Sequence, residues 1–238
     1  MTARYAIYYA PEAGSALWIK ASAWLGRDAI SGRTMPRPDL PALTGFDVEA
    51  LTAAPRHYGF HATLKAPFEL SPGMAEGDLL AAGQAFAASM TAFDASIAPA
   101  ALGRFLAFRL QDGEAQMQAL HATCVRAFES FRAPLCDADL ARRRRAPLTT
   151  IQDGRLEAWG YPYVFEDFRF HMTLTGSIAD DTVRARVLSV LRDHFAAETG
   201  LHRFDAIAIF RQLDRAAPFD IIERVAFPAS VAAETNPT

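Results

Sequence analysis

Residues 58–68 read "YGFHATLKAPF" and residues 168–178 read "FRFHMTLTGSI". Each carries His-x-Thr-Leu directly after a phenylalanine, at His61 and at His171. The chain has six histidines. Ordinary threonine and leucine usage gives a histidine roughly a one in two hundred chance of this context, and two such hits roughly one in two thousand. The recurrence therefore points to a duplicated unit.

The surroundings repeat as well. Each motif is followed by a helix-like run and then by "FDA", at Phe93 and Phe204, 32 and 33 residues after the respective histidine. Before the first motif stand a strand-like "RYAIYYA" (4–10), a helical pattern over 11–26 that ends at Gly26, and a Gly- and Pro-rich connection over 27–57. Before the second stand "GRFLAFRLQ" (103–111), an amphipathic helix over 114–131 and a connection over 132–162. His strands are expected over 58–70 and 164–176, helices over 76–92 and 180–198, strands over 93–99 and 204–213, and a last strand over 219–227. The expected fold is α+β: two duplicated lobes, 1–100 and 101–238, with antiparallel-rich sheet and flanking helices, related by a pseudo-two-fold axis with the site in the cleft between them.

Composition narrows the function. Apolar residues make up 51% and charged residues 21% of 238, as in a globular protein. A net charge of −3 argues against a general nucleic-acid coat, which needs a basic surface. Two cysteines, Cys124 and Cys136, form no Cys-x-x-Cys pattern, so neither a disulfide framework nor a thiolate metal site is expected. No apolar run reaches membrane-spanning length, and a cytoplasmic location is the expectation.

Alternation along a strand places Gly59, His61, Thr63 and Lys65 on one face. In the second motif it groups Arg169, His171, Thr173 and Thr175, opposite Phe168, Phe170, Met172 and Leu174. A polar face on an otherwise apolar strand must line water or a ligand. Two histidines, threonine hydroxyls and cations across one groove suit a phosphodiester, whose cleavage needs a base on the attacking oxygen and an acid on the leaving oxygen. Histidine serves as either near neutral pH, and hydroxyls and cations hold the non-bridging oxygens. No metal or other cofactor is required by this scheme. His57 and His61 have metal-pair spacing only on a helix, and the strand-like sequence after Gly59 argues against one.

Paired His-x-Thr motifs in duplicated α/β units resemble the 2H phosphoesterase superfamily. "RYAIYYAP", "YGFHATLKAPF" and "WGYPYVFEDFRFHMTLTG" together resemble its branch associated with phosphonate-utilisation operons. The resemblance implies His61 and His171 as the catalytic pair and Thr63 and Thr173 as phosphate-binding hydroxyls. It implies metal-independent hydrolysis of a small cyclic phosphate of a sugar or nucleotide, with a phosphoribosyl cyclic phosphate favoured by that branch.

Lys65, Arg169 and Tyr58 join the candidate substrate-binding set by parity and position, although each also reads as an ordinary strand residue. Tyr163 flanks the second strand similarly. His121, His194 and His202 read as packing or surface residues. "RRRR" (142–145) either guides an anionic substrate or is a solvated face. Two other functions compete: an RNA 2′–5′ ligase or end-processing enzyme, which needs a basic rim, and a nucleotide-binding module without turnover, which has no need of two intact motifs.

Overall fold

The computed structural model describes residues 3–229. The outer ends of the two expected lobes, 1–2 and 230–238, lie outside the described residues. The fold is α+β, with one eight-stranded sheet and seven α-helices among the described residues. The strands are β1 (Arg4–Tyr9), β2 (Ala62–Glu69), β3 (Phe93–Leu102), β4 (Phe105–Leu110), β5 (Met172–Thr173), β6 (Gly200–Phe204), β7 (Ala206–Gln212) and β8 (Asp220–Ala226). Their order across the sheet is β6-β3-β4-β5-β2-β1-β7-β8, and every pairing is antiparallel.

Strand order does not follow chain order. β3, from the first hundred residues, lies between β4 and β6, while β7 and β8 lie beyond β1. β1 and β7 are apolar interior strands; Tyr5 through Tyr9 and Ala206 through Phe210 are buried, so both faces there are covered. The motif strands β2 and β5 meet in the middle of the sheet.

The helices are α1 (Ala16–Leu25), α2 (Val48–Tyr58), α3 (Glu76–Ala88), α4 (Glu114–Ala127), α5 (Asp137–Arg143), α6 (Thr150–Trp159) and α7 (Asp181–His194). Helix α3 packs on β7 and β8, α7 on β3 and β4, and α4 on β2. Helix α1 reaches the β5 side, where the Trp24 indole donates to the Leu174 carbonyl at 2.8 Å.

The stretches 27–57 and 132–162, expected as connections, contain helices. Helix α2 starts at the Asp47 cap and α6 at a Thr149–Gln152 capping box. Both capping signals stand in the sequence, but the flanking prolines and glycines mask them. The strand expected from Tyr58 begins at Ala62, because Tyr58 closes α2 and Gly59 caps it. The second His strand is pared to Met172–Thr173, since a 3₁₀ turn at Phe165–Asp167 occupies its start.

Candidate active site

Ala62 pairs with Met172, and both are buried under the sheet. One step either side, the antiparallel register sets His61 opposite Thr173 and Thr63 opposite His171. All four side chains emerge on the other face and line one cavity of about 260 Å³. The two motifs, distant in sequence, thus converge on one space.

The imidazoles are held alike. His61 Nδ1 lies 3.0 Å from the Gly59 carbonyl, and His171 Nδ1 lies 2.7 Å from the Arg169 carbonyl. A carbonyl can only accept, so Nδ1 carries the proton and Nε2 keeps its lone pair. His61 Nε2 stands 3.4 Å from the Thr63 hydroxyl. The His61 ring stacks on Tyr8, with centroids 3.9 Å apart and planes 21° from parallel. His171 is flanked by Phe105 at 5.5 Å.

Gly59 makes the first arrangement possible. It leaves α2 with φ 77°, and a Cβ there would come within 2.4 Å of the Ala29 Cβ.

Enclosure sets the charge state. Burial pushes His61 down to about 4 against the opposing pull of the Gly59 carbonyl, with a smaller push from His171. Burial also lowers His171, opposed by the Arg169 carbonyl and aided by Arg109. Both rings are therefore neutral in the free protein near pH 7. Such a pair can pass a proton in either direction once an anion enters and favours the imidazolium form.

Among the remaining expected residues, the structure separates site from scaffold. Tyr58 lines the cavity and stacks on Phe219 at 5.2 Å. Lys65 does not reach it. Its side chain is only 3% exposed, with Nζ donating to Glu129 at 2.6 Å and to the Val125 carbonyl at 3.1 Å. The reason is a pair of irregularities between β1 and β2: Tyr8 pairs with Thr63, Ile7 with Lys65 and Tyr5 with Phe68. Each inserts one residue in β2 and reverses the alternation, so Leu64 and Lys65 are both buried and Ala66 turns to the cavity. Arg169 bonds the Glu166 and Phe168 carbonyls and lines a neighbouring cavity of about 380 Å³ together with His171, Tyr161 and Tyr163. Thr175 is buried, accepting from the Leu106 amide at 3.0 Å, and is absent from the cavity wall.

His57 sits in the last turn of α2 beside Gln212. His121 is buried in α4; its Nε2 accepts from the Phe165 amide at 3.1 Å and its ring stacks on Phe168 at 3.8 Å. His202 meets the Tyr9 hydroxyl at 2.5 Å in β6, a strand that the sequence pattern did not predict.

Among the cavity residues that the sequence reading passed over are Arg4, Tyr8 and Tyr161. They come from β1 and the turn after α6, and no local periodicity joins them to His61 or His171. The "RRRR" run splits. Arg142 and Arg143 line the cavity, whereas Arg144 pairs with Asp153 and Glu157 on α6. Among the described residues no group of three or more His, Cys, Asp or Glu side chains could hold a metal ion, and no helix is long and apolar enough to cross a membrane.

Residues 63–220 match the family described as "Protein of unknown function (DUF1045)". A protein of Janthinobacterium sp. (strain Marseille), named ribose 1,5-bisphosphate phosphokinase PhnN, is 39% identical over 94% of this chain and 51% of its own length. A protein of the same name from Laribacter hongkongensis (strain HLHK9) is 38% identical over 74% of this chain and 40% of its own length. The chain thus spans about half the length of the curated relatives it matches. The crystal structure of TT0787 of Thermus thermophilus is similar over 95% of this chain and 98% of its own, at 16% identity and a TM-score of 0.43.

Proposed function

The chain belongs to the DUF1045 family, and from its cavity we propose that it is a metal-independent phosphodiesterase of the 2H type. Its substrate is a small cyclic phosphate of a sugar or nucleotide, best matched by a phosphoribosyl cyclic phosphate. The observation that carries this reading is the cross-strand pair of His-x-Thr motifs, with both Nδ1 atoms tied to backbone carbonyls and both rings on one cavity.

The chemistry follows from that placement. One imidazole Nε2 takes a proton from the attacking water as oxygen bonds to phosphorus. The other, protonated, gives its proton to the leaving ester oxygen as that P–O bond breaks. Ring opening leaves a phosphomonoester. Thr63 and Thr173 donate to the non-bridging oxygens. A bound diester supplies the negative charge that lifts one lowered imidazole into its protonated form.

Sheet order supports the duplication behind this reading. Outward from the central pair, β5 is followed by β4 and β3, and β2 by β1 and β7. On this reading they are matching elements of two repeats with their third strands exchanged, the order a pseudo-two-fold arrangement would give. The lobes then share the sheet instead of dividing it at residue 100.

The relatives' name concerns a ribose bearing two phosphates, which accords with a phosphoribosyl substrate here. The phosphokinase activity in that name we assign to the part of those proteins outside the matched half. This chain's two lysines follow Ile19 and Leu64, so neither stands in the Gly-Lys-Ser/Thr of a phosphate-binding loop.

The test is hydrolysis of a ribosyl cyclic phosphate and of a 2′,3′-cyclic mononucleotide after exhaustive chelation. Ring opening without release of inorganic phosphate is expected. A requirement for a restored divalent ion, or turnover of the monoester alone, overturns the reading.

A further inference from the structure

The wall of the cavity opposite in character to the histidines is cationic. Arg4, Arg142 and Arg143 line it together with His61, His171, Thr63 and Thr173. Arg142 is paired with Asp139 at 2.8 Å. Arg4 and Arg143 meet no carboxylate among the described residues. Arg4 Nε donates to the neutral Gln212 amide oxygen at 2.8 Å. Arg143 lies over the Tyr161 ring at 5.2 Å, and its Nε is buried without a hydrogen-bond partner.

A guanidinium donor buried without an acceptor costs stability unless something fills the place. The excess of charge continues past the cavity. A smaller recess of about 60 Å³ adjoins it, lined by Arg4, Arg142, Arg143 and Arg215 against only Glu69 and Asp139. Four cations against two carboxylates leave two positive charges at this end. The other polar groups of the main cavity, two lowered imidazoles, two threonines and three tyrosines, are neutral near pH 7. A cyclic diester carries one negative charge, and the acid imidazolium of the proposed mechanism already answers it. The arginine end is then left without a counter-charge.

We propose that Arg4 and Arg143 form a second anion subsite of this cavity, and that the substrate carries there a dianionic phosphate besides the ester that is opened. The inference rests on the cavity being a phosphodiester site. It deepens that reading by naming the residues that would hold the phosphomonoester of a phosphoribosyl cyclic phosphate, and it makes that phosphate a determinant of specificity. Planar guanidinium forks suit the three oxygens of a terminal phosphate.

Two measurements test it. The first compares kcat/KM for a ribosyl cyclic phosphate with and without a phosphate on its 5-hydroxyl. The wild-type protein should prefer the phosphorylated form by about 30-fold or more, the scale of two charge-assisted contacts. Arg143→Gln should cut that preference to about threefold, and Arg143→Lys, which keeps the charge but not the fork, should leave it in between. A wild-type preference near one, or an undiminished preference in Arg143→Gln, overturns the subsite. The second measurement is calorimetric titration with ribose 5-phosphate, which needs no turnover. Affinity should fall about tenfold or more in Arg143→Gln relative to wild type, with Arg143→Lys in between. Equal affinities overturn the subsite. If neither cyclic substrate is opened, the diesterase reading fails, and the titration still decides whether the arginines hold a phosphate.

Discussion

Ala62 and Met172 form the single ladder pair that joins β2 to β5. Both are buried, and their pairing turns the residues on either side of each toward the same cavity. A shift of one residue in this register would put His61 and His171 on opposite faces of the sheet. The site therefore depends on a contact between segments over a hundred residues apart.

The histidines are expected to be the chemical groups. His61→Ala and His171→Ala should each lower kcat on a ribosyl cyclic phosphate by about 10²–10⁴-fold, the usual loss when a general acid or base is removed. Thr63→Val and Thr173→Val each remove one hydrogen bond to a charged oxygen, worth about 1.5–3 kcal/mol, and so should cost about ten- to a hundredfold. Steady-state kinetics on variants with unchanged circular dichroism checks this; a loss under tenfold in either histidine variant would sink the two-histidine mechanism.

Lys65 should matter for stability and not for turnover. Glu129 bonds both Lys65 and Arg132, and Lys65 is sealed under α4. Glu129→Ala strands a buried ammonium and should cost about 3–5 kcal/mol, whereas Lys65→Met removes charge and desolvation penalty together and should cost much less. Urea unfolding of the two variants gives the comparison. A large kcat loss in Lys65→Met with unchanged stability would return Lys65 to the site.

The contrast between Lys65 and Thr63 shows what the sequence makes legible. His61, Thr63, His171 and Thr173 were readable because each motif is a local alternation of two residues, and the pairing preserved it. Lys65 has the same parity on paper, but the irregular pairing with β1 reverses it, and nothing in "ATLKAPF" announces a bulge except Pro67 after the fact. Arg4 is invisible for another reason, and the run 142–145 announces charge but not which of its members faces the site. Arg4 and Arg143 meet the histidines only through strand order and the docking of α5, which are tertiary facts. Helices α2 and α6 were legible in principle from Asp47, Gly59, Thr149 and Gly160, yet Gly- and Pro-rich surroundings outweighed those caps.

Acid should loosen the protein, in part through His121. Its pKa is pushed down to about 4, first by burial and then by Lys65 and Arg126, with the Leu64 carbonyl opposing. The folded state thus disfavours the proton that the unfolded chain binds below pH 6.5. Stability from this group is complete above that pH and is lost as pH falls toward 4. Between pH 7 and 5 the loss is about 2 kcal/mol. His121→Gln keeps an acceptor for the Phe165 amide without the titration, so its stability should fall by that much less over the same interval. Denaturant midpoints at the two pH values measure it, and identical drops in both proteins would refute the assignment.

The pH dependence of catalysis should lie on the acid side of neutrality. For kcat/KM the free protein must hold one proton on the histidine pair, and the pair titrates as a unit. His61 is lowered to about 4, by burial foremost, and His171 also lies below its ordinary value for the same cause. The singly protonated form then peaks between the two lowered values, so kcat/KM should be bell-shaped with its maximum below about pH 6.5, the unperturbed value of histidine. A bound anion favours imidazolium, so the limbs of kcat should move to higher pH than those of kcat/KM. A cyclic diester without a second phosphate keeps one charge throughout, which leaves the limbs to the protein. A kcat/KM that climbs steadily from pH 5 to 8, in the range where histidine changes charge, would mean that a different base, with no proton-donating partner, does the work.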